Sequence, residues 1–384
     1  MSETNSPSLF MKINKWLIII LIIAIVLLSF GAIYFHFLLA DVTEKVELLK
    51  NVEIDLHEVN EADDYMLTAR RWVYEVNKII VYYALILAFI NGIYFLFNRQ
   101  LKNFIRPAFL ILIGGLVFLY HHTIFFDSKL KTFNDKNGVE WFYYGYQIDQ
   151  HIGFQRNPLF VASQAIAYFD EYKETNDEVT LTYFRNCIDF LIEDRVIEGK
   201  ATYYTGDFPL VAYDEPVGWK CGLTNSRVIL AMMAAHEESG DSTYLDIAHS
   251  VLYPFTIPIT EGGLNIKLSD KSWWFCEYPR PNGDSPMVLN GMLSILIAMH
   301  KYYDYSNDPL AIKLYEKGLV ALKEKLPLFD DNGFSYYDLK KKSAGKSYHM
   351  IHLSLLKQIY AIEPDPLFEE YRIKWQAYAT EQGW

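Results

Sequence analysis

Three cysteines in 384 residues, Cys187, Cys221 and Cys276, are too few and too scattered to read as a disulfide framework or a zinc ligand set. Basic residues are also short: 35 lysines and arginines stand against 47 acids, a formal net charge of −12. That deficit argues against a nucleic-acid partner, which would need a basic face, and against general adsorption to polyanions. What the chain does have is aromatic and apolar side chains. There are 29 tyrosines and 8 tryptophans, an enrichment that suits membrane interfaces and sugar clefts equally. Apolar residues concentrate before about residue 127, so a near-neutral mean hydropathy conceals a lipid-facing third and a water-soluble remainder.

The run from Trp16 to Ala40 is almost wholly apolar, with His36 its only ionisable residue. About 20 such residues cross the ~30 Å of bilayer hydrocarbon. A cleaved signal peptide would have a shorter apolar core and a small-residue cleavage site before Asp41, so an uncleaved span is expected. Further runs cover Ile79 to Phe97 and Pro107 to Phe126, joined by a turn with Arg99, Lys102 and Arg106 and no acid. Buried core helices are the rival reading of those two runs; their unbroken apolarity favours spans. The segment 41–77 is acidic, with Asp63 and Asp64 adjacent, and reads partly as an amphipathic helix. Positive charge stays on the cytoplasmic side. The Arg99–Arg106 turn is therefore expected inside, with Lys12, Lys15 and the N-terminus. The acidic loop 41–77 and everything after residue 127 are expected outside. This predicts a membrane domain over 1–127 with spans 16–40, 79–97 and 107–126, in a multi-pass protein of the cell membrane. The lipid bilayer is one partner, and three spans also suit a homo-oligomer or a polymer-export partner.

From Asn157 onward the pattern changes to paired helices. Pro158 opens a helix with Leu159, Ala162, Ala165, Ile166 and Phe169 at helical spacing. It stops at Glu174-Thr175-Asn176-Asp177, and the chain returns through Leu181, Phe184, Ile188 and Leu191. Similar polar tips recur at Glu238–Asp241, Tyr305–Asp308 and Glu363–Pro366, roughly sixty residues apart and outside the usual short solenoid periods. Four antiparallel hairpins predict an all-α fold over 128–384: an α/α toroid or incomplete barrel. The connections between hairpins, Gly199–Pro209, Gly262–Pro286 and Asn332–Tyr348, are long, glycine-punctuated and aromatic. Several read as small β-hairpins, Gly262–Lys267 among them. Long ordered loops on a helical scaffold are where function concentrates.

Those loops carry a resemblance. The run Trp273-Trp274-Phe275-Cys276-Glu277-Tyr278-Pro279, followed by Val288-Leu289-Asn290-Gly291, resembles the "EYP … VLNG" signature of the D-glucuronyl C5-epimerase C-terminal domain. Leu326-Pro327-Leu328-Phe329-Asp330, Tyr337-Asp338-Leu339 and Tyr348 with His349 and His352 resemble that family's "LP-x-[FY]-D", "YDL" and "YH-x-x-H", in the same order. The likeness covers roughly residues 141 to 380. It implies an isomerase that inverts C5 of hexuronate residues in a heparan sulfate-like polysaccharide, without cofactor or metal. It also implies catalytic positions at Glu277, Tyr278, Tyr337 and Tyr348. Two departures stand out. The β-rich domain that precedes the helical one in animal members is replaced by membrane spans. The arginine often found before the YH tyrosine is replaced by Ser343-Ala344-Gly345-Lys346-Ser347, and Lys346 as a point charge does not reproduce a bidentate clamp.

Inversion at C5 removes a proton α to a carboxylate and returns one to the opposite face, which needs a base, an acid and stabilisation of the enolate-like charge. Tyrosine serves as acid, or as base if its ordinary pKa of ~10 is lowered. Glu277 is either the base or a ligand for sugar hydroxyls. Arg280, Lys346, Arg227 and Lys220 are candidates to neutralise the substrate carboxylate, Asn290 to bind it, and Trp274 to stack on a sugar or fill the core. His349 and His352, three apart on a helix, form an incomplete metal pair and more readily a structural one. Cys276 reads as a small buried residue. A polysaccharide lyase shares the proton abstraction, and a non-catalytic glycan-binding component of a membrane assembly system would use the same cleft.

Overall fold

The computed structural model describes residues 9–98 and 131–384. The chain divides into two compact units, one built on an N-terminal helical hairpin and one holding everything from residue 147 onward.

In the first unit, α1 (Leu9–Lys50) and α2 (Leu56–Asn98) pack side by side. Their buried residues recur at three-, four- and seven-residue steps: Leu21, Ala24, Leu28, Ala32 and Phe35 on α1, Val59, Ala62, Met66, Val73 and Ile80 on α2. That is the seam of an antiparallel coiled coil. Gly31 lets it close, because a Cβ there would lie 2.2 Å from the Trp72 ring. The expected acidic loop 41–77 is therefore not a loop. Residues 41–50 continue α1 and residues 56–77 open α2, since Val42, Val46 and Leu49 extend the same seam. Of the three expected spans one is retained: Ile18–Lys50 is the helix among the described residues that is long and apolar enough to cross a membrane. The run Ile79–Phe97 forms the end of α2, whose first half carries Asp63, Asp64, Arg70, Arg71, Glu75 and Lys78. The basic turn at 99–106 and the run 107–126 lie outside the described residues.

The rest is mostly helical with small sheets. Strands β1 (Phe133–Asn134), β2 (Glu140–Gln147) and β3 (Gln150–Gln155) form a three-stranded sheet absent from the sequence expectation. Four helical hairpins follow among the described residues: α3 (Pro158–Thr175) with α4 (Glu178–Glu193), α5 (Gly222–Ser239) with α6 (Thr243–Leu252), α7 (Leu289–Ser306) with α8 (Pro309–Lys325), and α9 (Gly345–Ile362) with α10 (Pro366–Glu381). The tips explain themselves chemically. Asn176, Gly240 and Asn307 end their helices in the left-handed region, as C-terminal caps do. Asn157, Asp308 and Asp365 accept from backbone N–H groups at the next helix start, each ahead of a proline whose missing N–H costs nothing there.

The first helix of each pair packs on the first helix of the next: α3 on α5, α5 on α7, α7 on α9. This makes an inner arc backed by α4, α6, α8 and α10. Inner helices α5 and α7 bury residues on most of their circumference, while α4 and α6 are two-faced, as their positions require. The connecting loops form the two-stranded pairs β4 (Val196–Glu198) with β5 (Ala201–Tyr203), β6 (Thr205–Gly206) with β7 (Trp219–Lys220), and β8 (Asn265–Lys267) with β9 (Trp273–Phe275).

A buried polar anchor ties the 330–344 loop to the last hairpin. His349 Nδ1 accepts from the Ser335 N–H at 3.0 Å, and its Nε2 lies 3.0 Å from the Trp375 carbonyl, to which it donates. His352 Nδ1 lies 2.7 Å from Ser335 Oγ. These contacts assign both histidines to structure; no group of three or more metal-ligating side chains occurs among the described residues. Burial and the neighbouring His349 push His352 down to about 3. The unfolded chain then binds a proton that the fold refuses between pH 6.5 and about 3, so stability falls as pH falls through that window. His352 alone should cost about 1.4 kcal/mol per pH unit between pH 6 and 4. In urea unfolding of the detergent-solubilised chain, the stability difference between the parent and His352→Gln should change with pH by this slope.

Candidate active site

Everything at the site is arranged around one short stretch. After β9, Cys276 donates its N–H to the Leu264 carbonyl at 2.8 Å, and the Glu277 carbonyl accepts from the Gly222 N–H at 3.0 Å. The stretch runs between the first turns of α5 and α7, where there is no room for side chains. A Cβ at Gly222 would lie 2.2 Å from the Cys276 carbonyl oxygen, and one at Gly291 would lie 2.5 Å from Glu277 Oε2. The Glu277 side chain, 3% exposed, thereby rests against the N-terminal turn of α7. Asn290 Nδ2 donates to its Oε2 at 3.3 Å. Burial pushes the carboxyl up to about 7, against the opposing pull of hydrogen bonding from Tyr278 and Asn290.

Four phenols gather beside it. The Tyr278 ring lies 4.6 Å from that of Tyr213, and Tyr337 meets Tyr348 edge-on at 4.6 Å. Val288, Tyr337 and Ala344 make a small buried cluster on which Tyr213 and Tyr278 pack. Backbone bonds hold it: the Leu289 N–H donates to the Tyr337 carbonyl at 3.1 Å and the Tyr337 N–H to the Lys342 carbonyl at 2.6 Å. Burial raises the pKa of Tyr213, Tyr278, Tyr337 and Tyr348, and the charge of Glu277 raises all four further. These phenols are therefore protonated at neutral pH, proton donors rather than bases. One buried polar atom here, Asn290 Oδ1, has no hydrogen-bond partner among the described residues, a state that buried polar groups in folded proteins seldom tolerate.

The structure thus brings Glu277, Tyr278, Tyr337 and Tyr348 together. The other sequence candidates are placed differently. Arg280 is committed: Nε donates to Glu215 Oε1 at 2.5 Å and Nη2 to the Tyr213 carbonyl, so it holds the 211–215 turn instead of presenting a free cation. Asn290 orients Glu277. Trp274 is fully buried and stacked on Phe329, which makes it core; a sugar cannot reach it. Among the described residues Arg227, half-buried, has no ion pair, and neither it nor the exposed Lys346 interacts with Glu277. Cys276 is fully buried, its thiol pushed up to about 12 by desolvation, and so is no nucleophile. Two residues escape the sequence reading. Tyr213 sits in a single 3₁₀ turn, Val211–Tyr213, in a stretch that carries no motif. Lys342 holds its Nζ 5.2 Å from the Tyr213 ring centroid and 5.3 Å from that of Tyr337; the Lys340–Lys342 run after Leu339 was the available signal.

Comparisons with known proteins bear on this geometry. A family model described as D-glucuronyl C5-epimerase C-terminus matches residues 199–377. An uncharacterized protein of Methanocaldococcus jannaschii is 28% identical over 253 residues, 61% of this chain and 81% of that one. A D-glucuronyl C5-epimerase of Caenorhabditis elegans is 31% identical over 186 residues, 43% of this chain. The chain spans only 29% of that relative's length. Among solved structures, a cellobiose 2-epimerase from Bacillus thermoamylovorans superposes with a TM-score of 0.42 at 16% identity, over 65% of this chain and 66% of that one. A GH76 α-mannanase from Bacteroides thetaiotaomicron gives 0.41 at 14% identity, over 69% and 66%.

The raised Glu277 carboxyl has a stability consequence. The fold holds a proton that the unfolded chain releases between pH 4.5 and about 7, so stability is lost as pH rises through that window. Glu277→Gln, neutral throughout, should match the parent at pH 4 and exceed it by about 3 kcal/mol at pH 8 in urea unfolding. Equal stability at both pH values would contradict the burial argument.

Proposed function

We propose, from the match of residues 199–377 to the D-glucuronyl C5-epimerase C-terminus model and the likeness to a D-glucuronyl C5-epimerase, that the Glu277 cluster inverts C5 of hexuronate residues within a polysaccharide. The observation that carries the reading is the fully buried carboxyl poised near neutral pH beside four protonated phenols. A base works best with a pKa close to the working pH, and an acid must hold its proton until it is needed. Glu277 takes the C5 proton, and the C–H electron pair moves into the sugar carboxylate to form the enolate-like intermediate. A phenol of the Tyr337–Tyr348 pair returns a proton to the opposite face, re-forming the C–H bond with C5 inverted. Tyr348, half-exposed, is the route by which the phenolate regains a proton from solvent, and Glu277 gives up the proton taken from C5 to solvent when the product leaves. The Tyr213 hydroxyl and the Lys342 ammonium stabilise the developing charge. The inner arc of helices is read as an incomplete α/α toroid with the cleft at its loop end. The apolar helix Ile18–Lys50 is read as an anchor in the cell membrane, with residues 128–384 on the non-cytoplasmic side.

The test uses the purified chain in D₂O with a panel of uronate polymers, following deuterium at C5 by NMR. Incorporation with inversion is expected, reduced at least about 100-fold by Glu277→Gln, Tyr278→Phe or Tyr348→Phe, the usual scale of lost acid–base catalysis. An unsaturated product absorbing in the ultraviolet would instead mark a lyase. Binding without exchange across the panel would mark a glycan-binding component. Protease protection of residues 128–384 in sealed vesicles of known orientation should report the outward placement.

A further inference from the structure

The hairpin of α1 and α2 carries a groove that no step of the proposed reaction uses. It holds about 450 Å³, within the range of ligand pockets. Its floor is made of small residues, the buried Gly31 and the half-buried Ala69. Its walls are large and stand out: Phe30 is 67% exposed, Tyr34 and Tyr65 58%, and Trp72 45%. The Trp72 ring leans over Gly31, where a Cβ would meet it at 2.2 Å. Steps of three, four and seven from Tyr65 to Thr68, Ala69 and Trp72 put these residues on one face of α2.

The lining excludes most occupants. Among the described residues no charged side chain lines the groove, so it does not select an ion or a charged headgroup. A sugar needs several convergent hydrogen-bonding groups. Here the polar groups are the Thr68 hydroxyl and two phenols, and the Tyr65 phenol donates away from the groove to Glu61 Oε1 at 3.4 Å. A second helix packs in lipid by bringing small residues into close backbone contact, but Gly31 and Ala69 lie beneath projecting rings. A thin, flexible hydrocarbon chain fits between those rings. The depth agrees. Trp16 and Phe37, both exposed, stand on the helix that is long and apolar enough to cross a membrane, and the rise between them is about 32 Å, close to the thickness of bilayer hydrocarbon. Phe30 and Tyr34 lie in the last third of that rise. On α2 the lining residues from Tyr65 to Trp72 share their stretch with Asp64 and Arg71. The groove therefore sits where hydrocarbon gives way to headgroups, the level at which aromatic belts form.

We propose that this groove holds one hydrocarbon chain of a bilayer phospholipid, a lipid retained by the protein when the surrounding bilayer is removed. The inference rests on the reading of α1 as a membrane anchor, and its test separates the two. The full chain is reconstituted in phosphatidylcholine nanodiscs, released into mild detergent and weighed by native mass spectrometry. Alkaline carbonate extraction from phosphatidylcholine vesicles is run in parallel. The parent should carry one phosphatidylcholine. Thr68→Trp and Ala69→Trp, which fill the groove, should each weaken lipid retention at least about tenfold, equivalent to about 1.4 kcal/mol, with helix content by circular dichroism equal to the parent's. Leu85→Trp, at an exposed position of α2 outside the groove, should retain the lipid. If both filled variants keep the parent's lipid, the groove is not a lipid site. If Thr68→Cys converts fully to disulfide-linked dimers in the vesicles, a second copy of the chain covers this face and the proposal falls. Lipid lost only in the filled variants of a chain that carbonate extracts would leave the site standing and remove the anchor. Resistance to carbonate with no groove-dependent lipid would keep the anchor and remove the site.

Discussion

The segment Cys276–Glu277 is squeezed between the first turns of two inner helices, and the rest of the site follows from that fit. Gly222 and Gly291 are needed there for space, since a methyl group at either would overlap the backbone or the carboxylate it faces. Once the backbone is pinned by the Gly222 N–H, the Glu277 side chain rests on the α7 N-terminus, Asn290 and Tyr278. A helix N-terminus favours an anion, while complete burial disfavours one. The balance leaves a carboxyl near neutrality, which neither a surface glutamate nor an ion-paired one would show.

The phenols depend on the same placement. Each is desolvated, and the Glu277 charge makes ionisation harder still, so the carboxyl and the phenols are set apart in proton affinity by one shared environment. The price is stability at high pH, carried by a loop system that needs independent support. That support comes from the Ser335, His349, His352 and Trp375 contacts, which fix the loop bearing Tyr337 and the helix bearing Tyr348 to one another. Arg280 supplies a second brace. Its guanidinium is consumed in holding the 211–215 turn, which seats Tyr213 against Tyr278.

Much of this architecture was legible from residue order. The Asn-Pro and Asp-Pro tips carry their own capping chemistry, and the helix pairs follow from local spacing alone. The N-terminal third was less legible. The acidic segment 41–77 reads as a loop by charge, but its seam residues Val42, Val46, Leu49, Val59 and Met66 are spaced for a coiled coil, a weaker signal than the acids that surround them.

The sequence by itself determined the helical hairpins, their caps, and the motif residues Glu277, Tyr278, Tyr337 and Tyr348, because each of these is written in local spacing or in a contiguous run. Only the tertiary structure decided what those residues are to one another. Arg280 could not be told from a substrate clamp until Glu215, 65 positions away, was seen beside it. Trp274 could not be told from a sugar platform until Phe329 covered it. Tyr213 and Lys342 carry no motif and enter the site through folding alone. The protonation states come last, since desolvation and charge proximity are properties of the packed site and not of any segment of the chain.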